Sequence, residues 1–113
     1  MPWTLILSII TKKGVQTMEM KNPVHPGALV AECLDDLGLS VAEAAKGLRI
    51  TRQQLHNVIT GRSSVTPEMA VRFEKAFGST AYTWLHMQVN YDLAQVRKKE
   101  DKIAVTRLSH KVA

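Results

Sequence analysis

Five side chains in one short window, Arg52, Gln53, His56, Asn57 and Thr60, put hydrogen-bond donors and acceptors on one face at helical spacing, and none is a carboxylate. Guanidinium, amide, imidazole and hydroxyl groups are what base edges in a DNA major groove can be read with. A solvated polar face is the ordinary alternative for any short helix, and charge separates the two. From Ala44 to Pro67 the basic residues Lys46, Arg49, Arg52 and Arg62 stand with no Asp or Glu, whereas Glu19 to Glu43 holds five acids against one lysine. An ordinary solvated face mixes its signs; a basic stripe is the footprint of phosphate binding, where each neutralised phosphate releases condensed counterions.

Other chemistry has no motif to stand on. His25, His56, His86 and His110 occur singly, no His-x-x-x-His step exists, and Cys33 is the lone thiol. No metal-ligand spacing or nucleophile and base pairing emerges, so no catalytic residue, metal or cofactor is expected. Cys33 reads as a small buried hydrophobe and excludes an intramolecular disulfide, which fits a cytoplasmic location. Trp84 and Tyr91 could stack bases, but aromatic residues at helical spacing read first as core or dimer contacts.

Two back-to-back helix signatures position the polar window. Ser40-Val41-Ala42-Glu43 is a capping box that starts a helix at Val41, with Gly47 as its stop signal, followed by a turn through Leu48-Arg49-Ile50. Thr51-Arg52-Gln53-Gln54 is a second box, opening a helix that runs to Thr60 before Gly61, with Leu55, Val58 and Ile59 on the inward face. Upstream, Pro26 suits the first position of a helix whose apolar set is Leu29, Val30, Cys33, Leu34 and Leu37, ended by Gly38. Downstream, Thr66-Pro67-Glu68 opens a helix with Phe73 and Phe77 as core candidates, and Thr80 caps a fifth helix with the charged run from Arg97 to Lys102 as its expected continuation. The expected fold is all-α, five helices, with a helix-turn-helix formed by the second and third.

At 113 residues, with a net charge of +5, the chain suits one small domain with an acidic partner. Residues 1–20 read as an amino-terminal arm, 21–96 as the domain and 97–113 as a charged tail. The apolar start from Met1 to Ile10 is too short to span a membrane, and positive charge follows it instead of preceding it, unlike a cleavable signal. Three readings of the arm stay open: a short strand or disordered segment, a segment ordered by a partner, and an extension upstream of a start at Met18 or Met20, the last favoured. The fifth helix carries Tyr82, Trp84, Leu85, Met87, Val89, Tyr91 and Leu93 on more than one face, more apolar surface than a terminal helix should expose.

Leu39-Ser40, Glu43, Ala45, Leu48, Ile50-Thr51-Arg52, Leu55, Val58-Ile59 and Gly61-Arg62 resemble the Cro and phage-repressor (XRE) helix-turn-helix, whose fold is lambda-repressor-like. With His25-Pro26-Gly27, Val65-Thr66, Phe77-Gly78, Trp84-Leu85, Gln88 and Tyr91-Asp92-Leu93, residues 21–95 are similar to the HigA, or VapI-like, antitoxin subfamily. The resemblance implies a homodimeric autorepressor that binds double-stranded operator DNA and also silences a cognate HigB/RelE-like mRNA-cutting toxin. The DNA-contact set is then Ser40, Thr51, Arg52, Gln53, His56, Asn57, Thr60 and Arg62; the dimer set is Trp84, Leu85, Gln88, Tyr91 and Leu93. Two positions depart from the pattern: Val41 replaces a phosphate-contacting Gln common in such domains, and Arg49 replaces a Gly common in the inter-helix turn. A solitary prophage-type repressor without a toxin, and an interaction module with little DNA binding, are the competing readings.

Overall fold

The computed structural model describes residues 22–111. The expectations for the arm up to Lys21 lie outside them. Five α-helices follow in order: α1 Pro26–Leu37, α2 Val41–Leu48, α3 Arg52–Ile59, α4 Pro67–Phe77 and α5 Ala81–Arg97, with a 3₁₀ turn at Glu100–Lys102. No strand occurs among the described residues. The charged run does not extend α5, which stops at Arg97. Both capping boxes close: Ser40 and Glu43 exchange hydrogen bonds at 3.1 and 2.9 Å, and Thr51 and Gln54 at 3.0 and 2.8 Å. Thr66 and Thr80 accept from Met69 and Thr83 in the same manner.

α1, α2 and α3 end alike, with paired backbone hydrogen bonds closing over a left-handed residue. In α1 that residue is Gly38 (φ 70°), with the Leu39 amide donating to the Leu34 carbonyl at 2.9 Å; in α3 it is Gly61 (φ 80°), with Arg62 donating to Asn57 at 2.8 Å. α2 corrects the sequence reading. Gly47 lies within the helix, and the left-handed position falls two residues later on Arg49 (φ 59°, ψ 44°), with Ile50 donating to Ala45 at 3.1 Å. Among the described residues Arg49 is the one non-glycine with positive φ. Leu48 is buried, so stopping at Gly47 would have cost a core contact.

The core draws on all five helices. Val30, Cys33, Leu55, Ala70, Phe73 and Trp84 are fully buried, and Trp84 packs against Phe73 and Phe77 with ring centroids 4.9 and 5.9 Å apart. Cys33 is the buried hydrophobe expected, and burial pushes its thiol pKa up to about 12, so it stays protonated and unreactive. Leu37, counted with the apolar face of α1, is exposed instead at its carboxyl end.

The set expected on the dimer face needs larger corrections. Trp84 has no exposed surface and belongs to the core of its own chain. Gln88 is buried too, because its side-chain oxygen accepts from the Val65 amide at 2.7 Å while its nitrogen donates to Asp92 at 2.9 Å. Neither leaves surface for a partner. Leu85 packs half-buried on the same core, and Tyr91 sits edge-on to His25 with ring centroids 4.9 Å apart. The apolar excess of α5 that stays exposed is Tyr82, Val89, Leu93 and Val96.

A left-handed conformation costs a non-glycine residue roughly 1–2 kcal/mol, and glycine adopts it freely. Arg49→Gly is therefore expected to stabilise the fold by about 1 kcal/mol, a rise of roughly 4–8 °C in thermal midpoint for a domain of this size. Thermal unfolding followed by circular dichroism checks this, and an unchanged or lower midpoint would contradict it.

Candidate nucleic-acid interface

α3 divides as its sequence requires. Leu55 and Val58 are buried and Ile59 is half-buried, while Arg52, Gln53, His56 and Thr60 are exposed and Asn57 is half-buried. No acidic residue occupies its first turn. Within this face the side chains are not equally free. The Gln53 Nε2 donates to Asn57 Oδ1 at 2.9 Å. The Thr60 hydroxyl donates back to the His56 carbonyl at 3.0 Å, so its proton is spent inside the helix. Ser40 and Thr51 use their oxygens as helix caps, and each keeps a hydroxyl proton to give a phosphate. Arg62 is exposed just beyond Gly61, at the exit of α3.

Beside α3 lies a groove of about 430 Å³ lined by Arg49, Gln54, Asn57, Ser63, Ser64 and Arg72, among others. Gln54, Ser63, Ser64 and Arg72 were missing from the sequence-derived contact set. Arg72 reaches the groove by crossing from α4: its Nη1 donates to the Leu48 carbonyl at 2.8 Å, placing a cation at the carboxyl end of α2, and its Nη2 pairs with Glu68 at 2.9 Å. The Glu68 to Arg72 spacing of four residues was the available signal. Glu43 is the other carboxylate close to the motif; the Ser40 backbone N–H donating to it holds its pKa below the ordinary carboxylate range, so it stays ionised in its cap.

His25 ties the exit of α3 to the rest of the molecule. Its Nδ1 accepts from the Gly27 amide at 2.9 Å, capping α1. Its ring packs 3.7 Å from where a side chain on Gly61 would begin, and lies edge-on to Tyr91 of α5. An Nδ1 that accepts must be unprotonated. Burial pushes the pKa of His25 below its ordinary 6.5, outweighing the opposing pull of Asp92 and of the Ser63 backbone.

No group of three or more histidine, cysteine or acidic side chains suited to a metal ion exists among the described residues, and no described helix is long and apolar enough to cross a membrane. Residues 30–85 match the helix-turn-helix family model. Over 88 residues the chain is 44% identical to virulence-associated protein A′ of Dichelobacter nodosus, covering 76% of each chain. The chain belongs to the helix-turn-helix family. Its resemblance to HigA antitoxins holds in three dimensions: an addiction module antidote protein of the HigA family from Coxiella burnetii superposes with a TM-score of 0.70 at 35% identity, over 77% of this chain and 99% of that one. A Pseudomonas aeruginosa protein solved in complex with its operator DNA superposes with a TM-score of 0.67 at 25% identity, over 77% of this chain and 98% of that one.

The cap at His25 makes stability depend on pH. Because its folded pKa lies below the unfolded 6.5, the unfolded chain binds more protons as pH falls through that window, and stability drops. Unfolding midpoints at pH 7.5 and pH 5 should differ more for the native protein than for His25→Asn, which keeps a capping acceptor but cannot titrate. Equal differences for the two proteins would show that His25 does not carry the effect.

Proposed function

We propose that this protein is a sequence-specific DNA-binding autorepressor and the antitoxin of a type II pair, neutralising a RelE-like mRNA-cleaving toxin. The observation that carries the DNA reading is α3 itself: a doubly capped helix held on the core by Leu55 and Val58, with an acid-free outer face and the cations Arg49, Arg52 and Arg62 around it. α3 enters a major groove, Arg52 and Gln53 contact base edges, and Ser40, Thr51 and Arg62 contact phosphates. The toxin reading is supported by the HigA-type antidote among the solved neighbours. Val41, the departure that favoured a module without DNA binding, packs against the core and has a structural reason to be apolar. Co-purification with the product of the adjacent gene tests the toxin half: a small basic partner that is retained supports it, and a neighbouring gene of unrelated type would leave a solitary repressor.

Two subunits on a palindrome place their reading helices about 34 Å apart, or a multiple of that. Gln53→Ala is expected to cost on the order of 1–3 kcal/mol on operator DNA and to relax base preference. Arg62→Ala should instead weaken binding to every sequence and reduce the slope of log affinity against log salt by about 0.9. Titrations on operator and scrambled DNA at several salt concentrations check both, and equal behaviour of the two variants would sink the assignment.

The homodimer surface is the exposed stripe of α5, where Val89, Leu93 and Val96 recur at helical spacing. Charge substitution at Val89 and Leu93 should halve the sedimenting mass and lower operator affinity with helicity retained. A doubly charged variant that stays dimeric would move the interface elsewhere.

A further inference from the structure

We propose that Gln53 and Asn57 form one reading unit for a single adenine·thymine pair, in which Gln53 touches the base and Asn57 is the positioning residue that fixes how its amide faces. The proposal rests on the DNA-binding reading above and adds the base that α3 selects at this position. The two side chains stand one helical turn apart, and the Gln53 Nε2 donates to Asn57 Oδ1 at 2.9 Å. That bond uses one of the two Gln53 amide hydrogens and sets the direction of the amide, since a rotated Gln53 would turn its own oxygen against that of Asn57.

What remains on Gln53 is a donor beside an acceptor, the second Nε2 hydrogen and Oε1, on an exposed side chain. Adenine presents the matching pair in the major groove, N7 as acceptor and the N6 amino group as donor. Guanine presents two acceptors there and would face Oε1 with O6; cytosine offers only a donor, and thymine only an acceptor and a methyl group. Asn57 is placed less well to read adenine, because its shorter side chain is half-buried and its Oδ1 already accepts from Gln53. Half-buried in the wall of the groove beside Arg49, Gln54 and Ser63, it is a fixed support for the longer and more exposed Gln53. Independent readers would specify two base pairs; this pair specifies one.

The test measures the base preference of the full-length protein at every operator position, using DNA libraries in which each position carries all four bases, for the native protein, Gln53→Ala, Asn57→Ala and the double variant. Thermal melts establish that all four are folded. We expect both single variants to lose preference for adenine at the same position, by roughly five- to a hundredfold. The double variant should lose no more than Gln53→Ala alone, the non-additivity of a coupled pair. Loss at two different positions with additive effects, or an adenine preference untouched by Asn57→Ala, overturns the reading unit while leaving DNA recognition in place. A native protein with no base preference at any position overturns both.

Discussion

The contact that orients the whole motif is a backbone approach with no room for a side chain. At Gly27, in the first turn of α1, a Cβ would collide with the carbonyl oxygen of Val58 and stand only 2.8 Å from its carbonyl carbon and 2.9 Å from the Ile59 oxygen. The amino end of α1 therefore rests directly on the last turn of α3. Interiors are packed densely enough that such a seat has few alternatives, so the direction in which α3 presents Arg52 and Gln53 is set by helix against helix. His25 completes the seat: it caps α1 through Gly27 and lies against Gly61, where α3 exits. The His25-Pro26-Gly27 run that opens α1 acts on the reading helix from outside it.

α5 holds the far side of the same exit. Gln88 accepts from the Val65 amide, so the loop between α3 and α4 is anchored by a buried hydrogen bond to α5, across the whole of α4. Trp84 fills the space between them against Phe73 and Phe77, at the cost of an indole N–H without a partner among the described residues. An unmade hydrogen bond of this kind costs about 1–3 kcal/mol, and burial of so large a ring offsets it. This is why residues that looked like surplus apolar surface on α5 divide into two sets. Trp84 and Leu85 are consumed by their own fold, while Val89 and Leu93 stay exposed in one stripe that Val96 continues.

Local chemistry was legible before any coordinates. Four helix starts are marked by a capping residue three positions before the amide it accepts from, and the caps at Ser40, Thr51, Thr66 and Thr80 all form, whereas the cap at His25 is visible only in the fold. The inward face of α3 and the burial of Cys33 followed from periodicity, which is a property of one helix. What escaped was set by partners distant in sequence. Gln88 reads as a surface amide until Val65 is seen beside it, and Arg72 as a solvated cation until the Leu48 carbonyl is seen 2.8 Å away. Gly47 offered a better stop signal than Arg49, but the burial of Leu48 carries α2 past it. The bond between Gln53 and Asn57 was within reach of spacing, because residues four apart on a helix are neighbours, yet spacing does not say which amide donates.

Arg49 shows where the fold gives up stability. Its left-handed backbone is unfavourable for any side chain, and its cation lines the same groove as that of Arg72. Glu68 pairs with Arg72, but that carboxylate is itself largely exposed, so the groove keeps a basic character that water must screen in the free protein. A phosphate entering the groove would meet a lining that holds both Arg49 and Arg72, with Ser63, Ser64 and Gln54 as further polar residues. Strain and like charge placed together at one surface are costly for folding alone and favourable for a polyanion, so the residue that most breaks the local backbone rule sits beside the helix that would meet DNA.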